Sequence, residues 1–223
     1  MKAAYFITGT DTDAGKTTLA AGFLYAAKQQ QLSTLAMKPV ASGCEMTKQG
    51  LRNSDALALM AQSSIKLAYQ AVNPYAFAPP IAPHLAAKEV GLELNVSDLY
   101  SAAQVILQEQ ADLTLIEGAG GWRVPLSNQA FLSDLAIALK LPVILVVGVK
   151  LGCINHAVLT AEAIINDGLK LAGWVANGID ANCSYLEGNL ASLKQLMPAP
   201  CLGEVPYLEQ ASAKAVASYL TLV

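Results

Sequence analysis

The chain has 223 residues, 54% of them hydrophobic and only 14% charged, which excludes a disordered polymer and predicts one domain, residues 1–223, around a substantial core. Its 14 basic and 17 acidic residues leave a formal net charge of -3 with no basic cluster, so nucleic acid is not an expected partner. The four cysteines, Cys44, Cys153, Cys183 and Cys201, are far apart and form no C-x-x-C pair, so reduced thiols and a cytoplasmic location are expected.

The first apolar run, Ala3-Ala4-Tyr5-Phe6-Ile7, reads as a strand, and no export-signal pattern precedes it. It delivers Gly9-Thr10-Asp11-Thr12-Asp13-Ala14-Gly15-Lys16-Thr17-Thr18, and an alanine-rich helical pattern follows from about Lys16 to residues 29–31. Strand, glycine-bounded loop and helix in that order turn backbone N–H groups and a positive dipole end toward one point, which suits a polyphosphate. Lys16 is placed to reach the terminal phosphates, and the Thr17 hydroxyl to ligate the Mg²⁺ they carry. Thr10 stands where the usual G-x-x-x-x-G-K-[ST] pattern has its first glycine, and Gly9 is expected to supply the turn instead.

A second strand over residues 33–37 places Lys38 and Ser42 at a carboxyl-terminal strand edge, where open α/β sheets bind ligands. Asp55 lies at the polar start of a helix running toward Ala61, either as an acid suited to the dipole or as a Mg²⁺ ligand. Four prolines within residues 73–83 predict a long irregular loop over a site, with His84 after it as a capping or packing residue. A helix is expected from Ser97, as N-cap, to Gln110. The strand at residues 112–117 ends in Glu117, read as a Mg²⁺-side carboxylate or a solvated strand end, before the glycine-rich Gly118-Ala119-Gly120-Gly121-Trp122.

The most apolar stretch, residues 141–149, is too short to span a bilayer and reads as a buried strand. Residues 150–156 open a helix to about Asn166, whose N-terminus suits a carboxylate or phosphate. Residues 171–178 form another strand. Asn177 at its end is either a left-handed turn residue beside Gly178 or an amide that reads an adenine edge. A last strand, residues 201–205, and a final helix complete the alternation. The whole predicts an α/β, P-loop NTPase-like fold with a mostly parallel sheet and helices on both faces.

Taken together, these motifs, with Lys38-Pro39-Val40-Ala41-Ser42-Gly43, Asn53-Ser54-Asp55-Ala56, Asn73-Pro74-Tyr75, Gly148-Val149-Lys150-Leu151-Gly152-Cys153-Ile154-Asn155-His156 and Gly173-Trp174-Val175-Ala176-Asn177, resemble the ATP-dependent dethiobiotin synthetases of biotin biosynthesis. That family uses a Gly-Thr-Asp-Thr form of the loop, which accounts for Thr10. The resemblance covers nearly the whole chain and implies a ligase that converts 7,8-diaminopelargonic acid, CO₂ and MgATP into dethiobiotin, ADP and phosphate.

Carried over by position, the resemblance implies that Thr17, Asp55 and Glu117 surround Mg²⁺ and that Asp13, Ala14, Gly15, Lys16, Thr17 and Thr18 line the phosphates. Gly118, Ala119 and Gly120 are expected near the nucleotide. Lys16 and Lys38 are the implied catalytic cations. Thr12 and Ser42 face the diamine end. Lys150, Leu151, Gly152, Cys153 and Asn155 form the helix start that holds the substrate carboxylate, across the interface of a homodimer. Asn177, Gly178, Pro206, Tyr207 and Leu208 resemble the adenine pocket. Residues 180–192 and the tail beyond Glu209 match no motif. A partition or switch ATPase would be expected to carry a Lys-Gly-Gly-type loop and a basic amphipathic C-terminal helix, whereas this loop has Asp11 and Thr12 and no basic residue follows Lys214. A related amidoligase or kinase is disfavoured by residues 38–43 and 152–155.

Overall fold

A computed structural model describes residues 2–223. Strand β1 (Ala3–Gly9) leads through the phosphate-type loop into α1 (Lys16–Gln29), then β2 (Thr34–Met37). Short pieces follow: β3 (Val40–Ala41), the hairpin β4 (Glu45–Thr47) and β5 (Gly50–Arg52), α2 (Ser54–Gln62), α3 (Tyr69–Val72), β6 (Tyr75–Ala76) and α4 (Pro83–Glu89). The regular alternation resumes with α5 (Val96–Gln108), β7 (Leu113–Glu117), α6 (Leu132–Leu139), β8 (Val143–Val149), α7 (Cys153–Asn166) and β9 (Leu171–Gly178). It ends with α8 (Leu186–Leu196), β10 (Cys201–Val205) and α9 (Ala213–Ala217).

The central sheet has six parallel strands in the order β10-β9-β8-β1-β7-β2. Its middle strands are buried on both faces, which is why they read as unbroken apolar runs. Alternate residues feed two cores. Phe6, Ile116, Val143, Leu145 and Val147 pack on one face with residues of α5, α6 and α7, whereas Ile7, Leu115, Ile144 and Val146 pack on the other with α1 and α9.

Register then sets the site. Ile7 pairs with Glu117 and Met37 with Ile116, so Glu117, Lys38 and the loop after Gly9 arrive at one carboxyl edge. Gly148 pairs with Asn177 at the same edge, on the far side of β1.

The structure corrects several local expectations. Asn95, not Ser97, caps α5, because its Oδ1 accepts the Asp98 N–H at 2.9 Å while Ser97 lies inside the helix. The proline-rich loop is partly ordered by backbone pairing: Tyr75–Ala76 pairs with Val40–Ala41, and Pro83 opens α4 at a position that needs no N–H donor. Gly9 does not make the turn of the phosphate loop. Asp13 (φ 59°) and Gly15 (φ 92°) carry the left-handed conformations, and Gly9 closes β1 in a space where a Cβ would meet the Asp11 carbonyl oxygen and Lys16 Cγ at 3.1 Å.

Candidate active site

The loop and the edges of β2 and β7 enclose a cleft of about 810 Å³. Thr12, Asp13, Gly15, Lys16, Thr17, Thr18, Lys38, Ser42, Asp55, Ala119 and Gly120 line it, together with residues 80–83 and 123–125. At its floor Lys38, only 4% exposed, donates to Glu117 Oε1 at 2.6 Å and to the Gly118 carbonyl at 3.0 Å, and it pairs with Asp55 Oδ2 at 3.0 Å. All three of its protons therefore have acceptors. Burial opposes its charge, but Glu117 and Asp55 outweigh that and hold the ammonium above the usual lysine range. Glu117 is fully buried, which removes the reading of it as a solvated strand end.

Lys16 behaves in the opposite way. Burial, reinforced by the like charge of Lys38, pulls it down to about 8 against the weaker pull of Glu117 and Asp55. Its Nζ donates to the Asp11 carbonyl at 2.9 Å. The two lysines thus stand ready for different work, one locked as a cation and one sensitive to an incoming anion.

Asp55 has the helix-start position open to it in the sequence. It lies in the first turn of α2, where Asn53 caps by accepting from the N–H groups of Asp55 (3.1 Å) and Ala56 (3.2 Å), and it also reaches Lys38. Such a cap is worth about 1 kcal/mol. A buried hydrogen-bond chain supports this corner: the Asn53 N–H donates to Tyr69 Oη, Tyr69 Oη–H to Asn73 Oδ1, and Asn73 Nδ2–H to the Lys38 carbonyl at 2.7 Å. Asn53, Tyr69 and Asn73 therefore position Lys38 and Asp55, although no phosphate-binding pattern singles them out.

The hydroxyl of Thr17 donates to Glu117 Oε1 at 2.7 Å, while Glu117 Oε2 is buried without a partner. A buried orphan carboxylate oxygen beside a hydroxyl and a second carboxylate is a hard-oxygen donor set, which fits Mg²⁺. Among the described residues no cluster of three or more His, Cys, Asp or Glu side chains is present, so an ion here would draw its remaining ligands from phosphate and water.

Asn177 is a buried strand residue, not a left-handed turn residue. Its Nδ2 donates to the Ala14 carbonyl at 2.9 Å and lies where a Cβ on Gly15 would have to go, so it braces the phosphate loop from β9. Gly178 lets the backbone of Pro206 and Tyr207 lie against the end of β9, since a Cβ there would meet Tyr207 N at 2.6 Å. Leu208 packs beside the second core.

The start of α7 lies outside the cleft. Leu151 is 95% exposed, Gly152 is left-handed (φ 89°) with open space beside it, and Asn155 is exposed. The Cys153 side chain is buried in the core, so this residue can offer a ligand its backbone but not its thiol. Lys150 reaches Asp11 Oδ2 at 3.2 Å. Partial burial of Asp11 raises its pKa, but this bond and the Thr12 N–H outweigh that and leave its carboxyl below the usual range.

Residues 3–215 match a family model described as an AAA domain. The ATP-dependent dethiobiotin synthetase BioD of Pseudomonas aeruginosa (strain UCBPP-PA14) is 65% identical over 219 residues, 98% of this chain and 96% of that protein. The chain belongs to the ATP-dependent dethiobiotin synthetase family. BioD of Cellvibrio japonicus (strain Ueda107), also named an ATP-dependent dethiobiotin synthetase, is 59% identical over 221 residues, 99% of this chain and 96% of its own. A ParA family ATPase from Chlorobium tepidum TLS superposes with a TM-score of 0.56 at 13% identity, over 99% of this chain and 91% of that one, which shows a shared fold alone. In this dethiobiotin synthetase family member, no helix among the described residues is long and apolar enough to cross a membrane.

Proposed function

We propose that the chain is an ATP-dependent ligase of biotin biosynthesis that converts 7,8-diaminopelargonic acid, CO₂ and MgATP into dethiobiotin, ADP and phosphate. One amine captures CO₂ as a carbamate, whose oxygen is a poor leaving group. Phosphorylation by ATP makes a carbamic-phosphoric anhydride, and the neighbouring amine closes the ureido ring by displacing phosphate. The observation that carries this reading is Lys38, a buried cation fixed by Glu117, Asp55 and the Gly118 carbonyl at the floor of a cleft that Lys16 also lines. A preorganised charge in a water-poor site stabilises charge developing on a transferring phosphoryl group.

Within that scheme Lys16 and the N–H groups around residues 13–18 hold the polyphosphate, and Lys38 faces the carbamate and the phosphoryl group. Thr12 and Ser42 border the diamine. Thr17, Asp55 and Glu117 would hold Mg²⁺, which would neutralise phosphate charge. Gly118, Ala119 and Gly120 let backbone approach the nucleotide. Asn177 and Gly178, with the chain at Pro206, Tyr207 and Leu208, border the base.

We further propose a cytoplasmic homodimer, in which Lys150, Leu151, Gly152, Cys153 and Asn155 of one copy close the carboxylate end of the other copy's cleft. Free N–H groups at a helix start suit a carboxylate. The exposure of Leu151 just before α7 and of Leu159 on it supports burial against a second copy.

The test is mass spectrometry of the product formed from 7,8-diaminopelargonic acid, bicarbonate, ATP and Mg²⁺, with ADP followed in parallel. Dethiobiotin in proportion to ADP, and only with both the diamine and a CO₂ source, is the expected result. ADP release that ignores the diamine overturns the assignment and favours a switch ATPase.

A further inference from the structure

The loop that follows Glu117 forms one wall of the cleft, through Ala119, Gly120, Arg123, Val124 and Pro125. Its first half has no side chains large enough to anchor it. Gly118 lies against the Phe6 ring, where a Cβ would meet Cε1 at 3.2 Å, and a Cβ on Gly120 would meet Val124 Cγ2 at 2.8 Å. The near end of the loop is held through Gly118, whose N–H donates to the Ile7 carbonyl and whose carbonyl accepts from Lys38, and side-chain anchors enter only at its far end.

That end is held by Asp167, the C-cap residue of α7. Asp167 Oδ2 accepts from Trp122 Nε1 at 2.8 Å and Oδ1 from Arg123 Nη2 at 2.7 Å. The Trp122 ring is 5% exposed and meets Phe6 edge-on, with centroids 6.0 Å apart at 84°. Arg123 is also tied to α6, since its Nη1 donates to Ser133 Oγ at 3.0 Å, and the Leu132 N–H donates to the Val124 carbonyl at 2.7 Å. A carboxylate at a helix C-terminus faces the negative end of the dipole, so helix formation alone does not favour Asp167 there. Its two charge-assisted bonds to the cleft wall supply a reason for it.

We infer that Asp167 is a positioning residue for the reaction, which acts through Trp122 and Arg123 to fix the 118–125 wall against which the diamine is held. The carboxylate does not line the cleft and takes no part in bond making. Its function is to set where Arg123 and the glycine backbone stand relative to Lys38 and Ser42, which line the same cleft. This rests on the substrate reading above.

The test is steady-state kinetics of Asp167→Asn, which keeps the size of the side chain but loses its charge and one acceptor. The expected result is a KM for 7,8-diaminopelargonic acid raised about tenfold, with the KM for ATP changed less than about twofold. A merely structural role would lower the folded fraction and hence kcat, leaving both KM values alone. Arg123→Ala, at a side chain 44% exposed, is expected to give the same split if Asp167→Asn does not fold. The double variant is expected to be no worse than the worse single one within about twofold, because both act through one pair.

Unchanged KM values in the folded variants, or equal rises for ATP and diamine, overturn the positioning role. Wild-type protein that releases ADP without forming dethiobiotin overturns the substrate reading itself, and this is seen before any variant is made.

Discussion

The floor of the cleft and the start of α7 lie at the same edge of one sheet, yet one is closed on itself and the other is open. At the floor Lys38 has an acceptor for every proton, and the pKa values of the two lysines are pushed apart, Lys16 downward chiefly by burial and Lys38 upward by Glu117 and Asp55 of the same chain. At the start of α7, Leu151 projects into solvent and Asn155 is exposed. Charge chemistry can be completed locally, since register alone brings β2 and β7 together. A binding surface for the far end of an elongated substrate needs a second wall, which on the proposed dimer comes from another copy.

The largest effect that separates the two regions is expected from Lys38→Met. Turnover should fall about a hundred- to a thousandfold, as for loss of one preorganised donor to a transition state. Nucleotide binding, measured by titration calorimetry, should survive because residues 9–18 are untouched. Thermal unfolding should show a loss of about 3–5 kcal/mol, because Glu117 is left buried without its cation. A variant with normal turnover at saturating ATP would show that Lys38 serves binding alone.

Leu151→Glu addresses the open region and should have a smaller effect. The substitution places a charge at a position 95% exposed in the single chain, so folding should be unaffected, while pairing of two copies should fail. Sedimentation should move toward monomer, and kcat/KM for the diamine should fall about ten- to a hundredfold with ATP binding unchanged. Wild-type protein that sediments as monomer with full activity would remove the shared-site arrangement altogether.

These two regions also differ in how they could be read from sequence. The sheet and the phosphate loop were legible because buried parallel strands leave unbroken apolar runs, and because Gly15, Lys16 and Thr17 have a fixed spacing dictated by phosphate geometry. Asp55 and Asn177 could be placed only as alternatives, since a helix-start acid and a strand-end amide each have a common local use. Contacts between distant elements remove the left-handed-turn reading of Asn177, which bonds the Ala14 carbonyl from within β9, and bring Asp55 to Lys38 from the start of α2. Asp167 left no signal at all. Its partners Trp122 and Arg123 are 45 and 44 residues away, and no local pattern predicts a contact across that separation. The cap of α5 was misplaced for a smaller reason: Asn95 and Ser97 both suit the position, and the backbone chose the earlier one.

The smallest effect, and the one that most sharpens the contrast, concerns Lys16 and pH. In the free protein its ammonium loses its proton near about 8, whereas in the unfolded chain it would do so near 10.5. Between those values the unfolded state binds more protons, so this group makes folding more favourable as pH rises, and the burial penalty at neutral pH is relieved. Nucleotide binding should run the other way. A polyphosphate beside Lys16 favours the charged form, so its affinity should be full below about pH 8 and fall above it, by at most about tenfold per pH unit. Above about pH 7.5 the phosphates are themselves largely ionised, so the proton taken up on binding comes to the protein. Calorimetry in two buffers of different ionisation enthalpy should report uptake of up to one proton per site near about pH 9. Lys38, held above the usual lysine range by Glu117 and Asp55, should contribute none in that window. Binding that is flat in pH from about 7.5 to 9.5 would mean that Lys16 does not meet the phosphates, and the division of labour between the two lysines would fall with it.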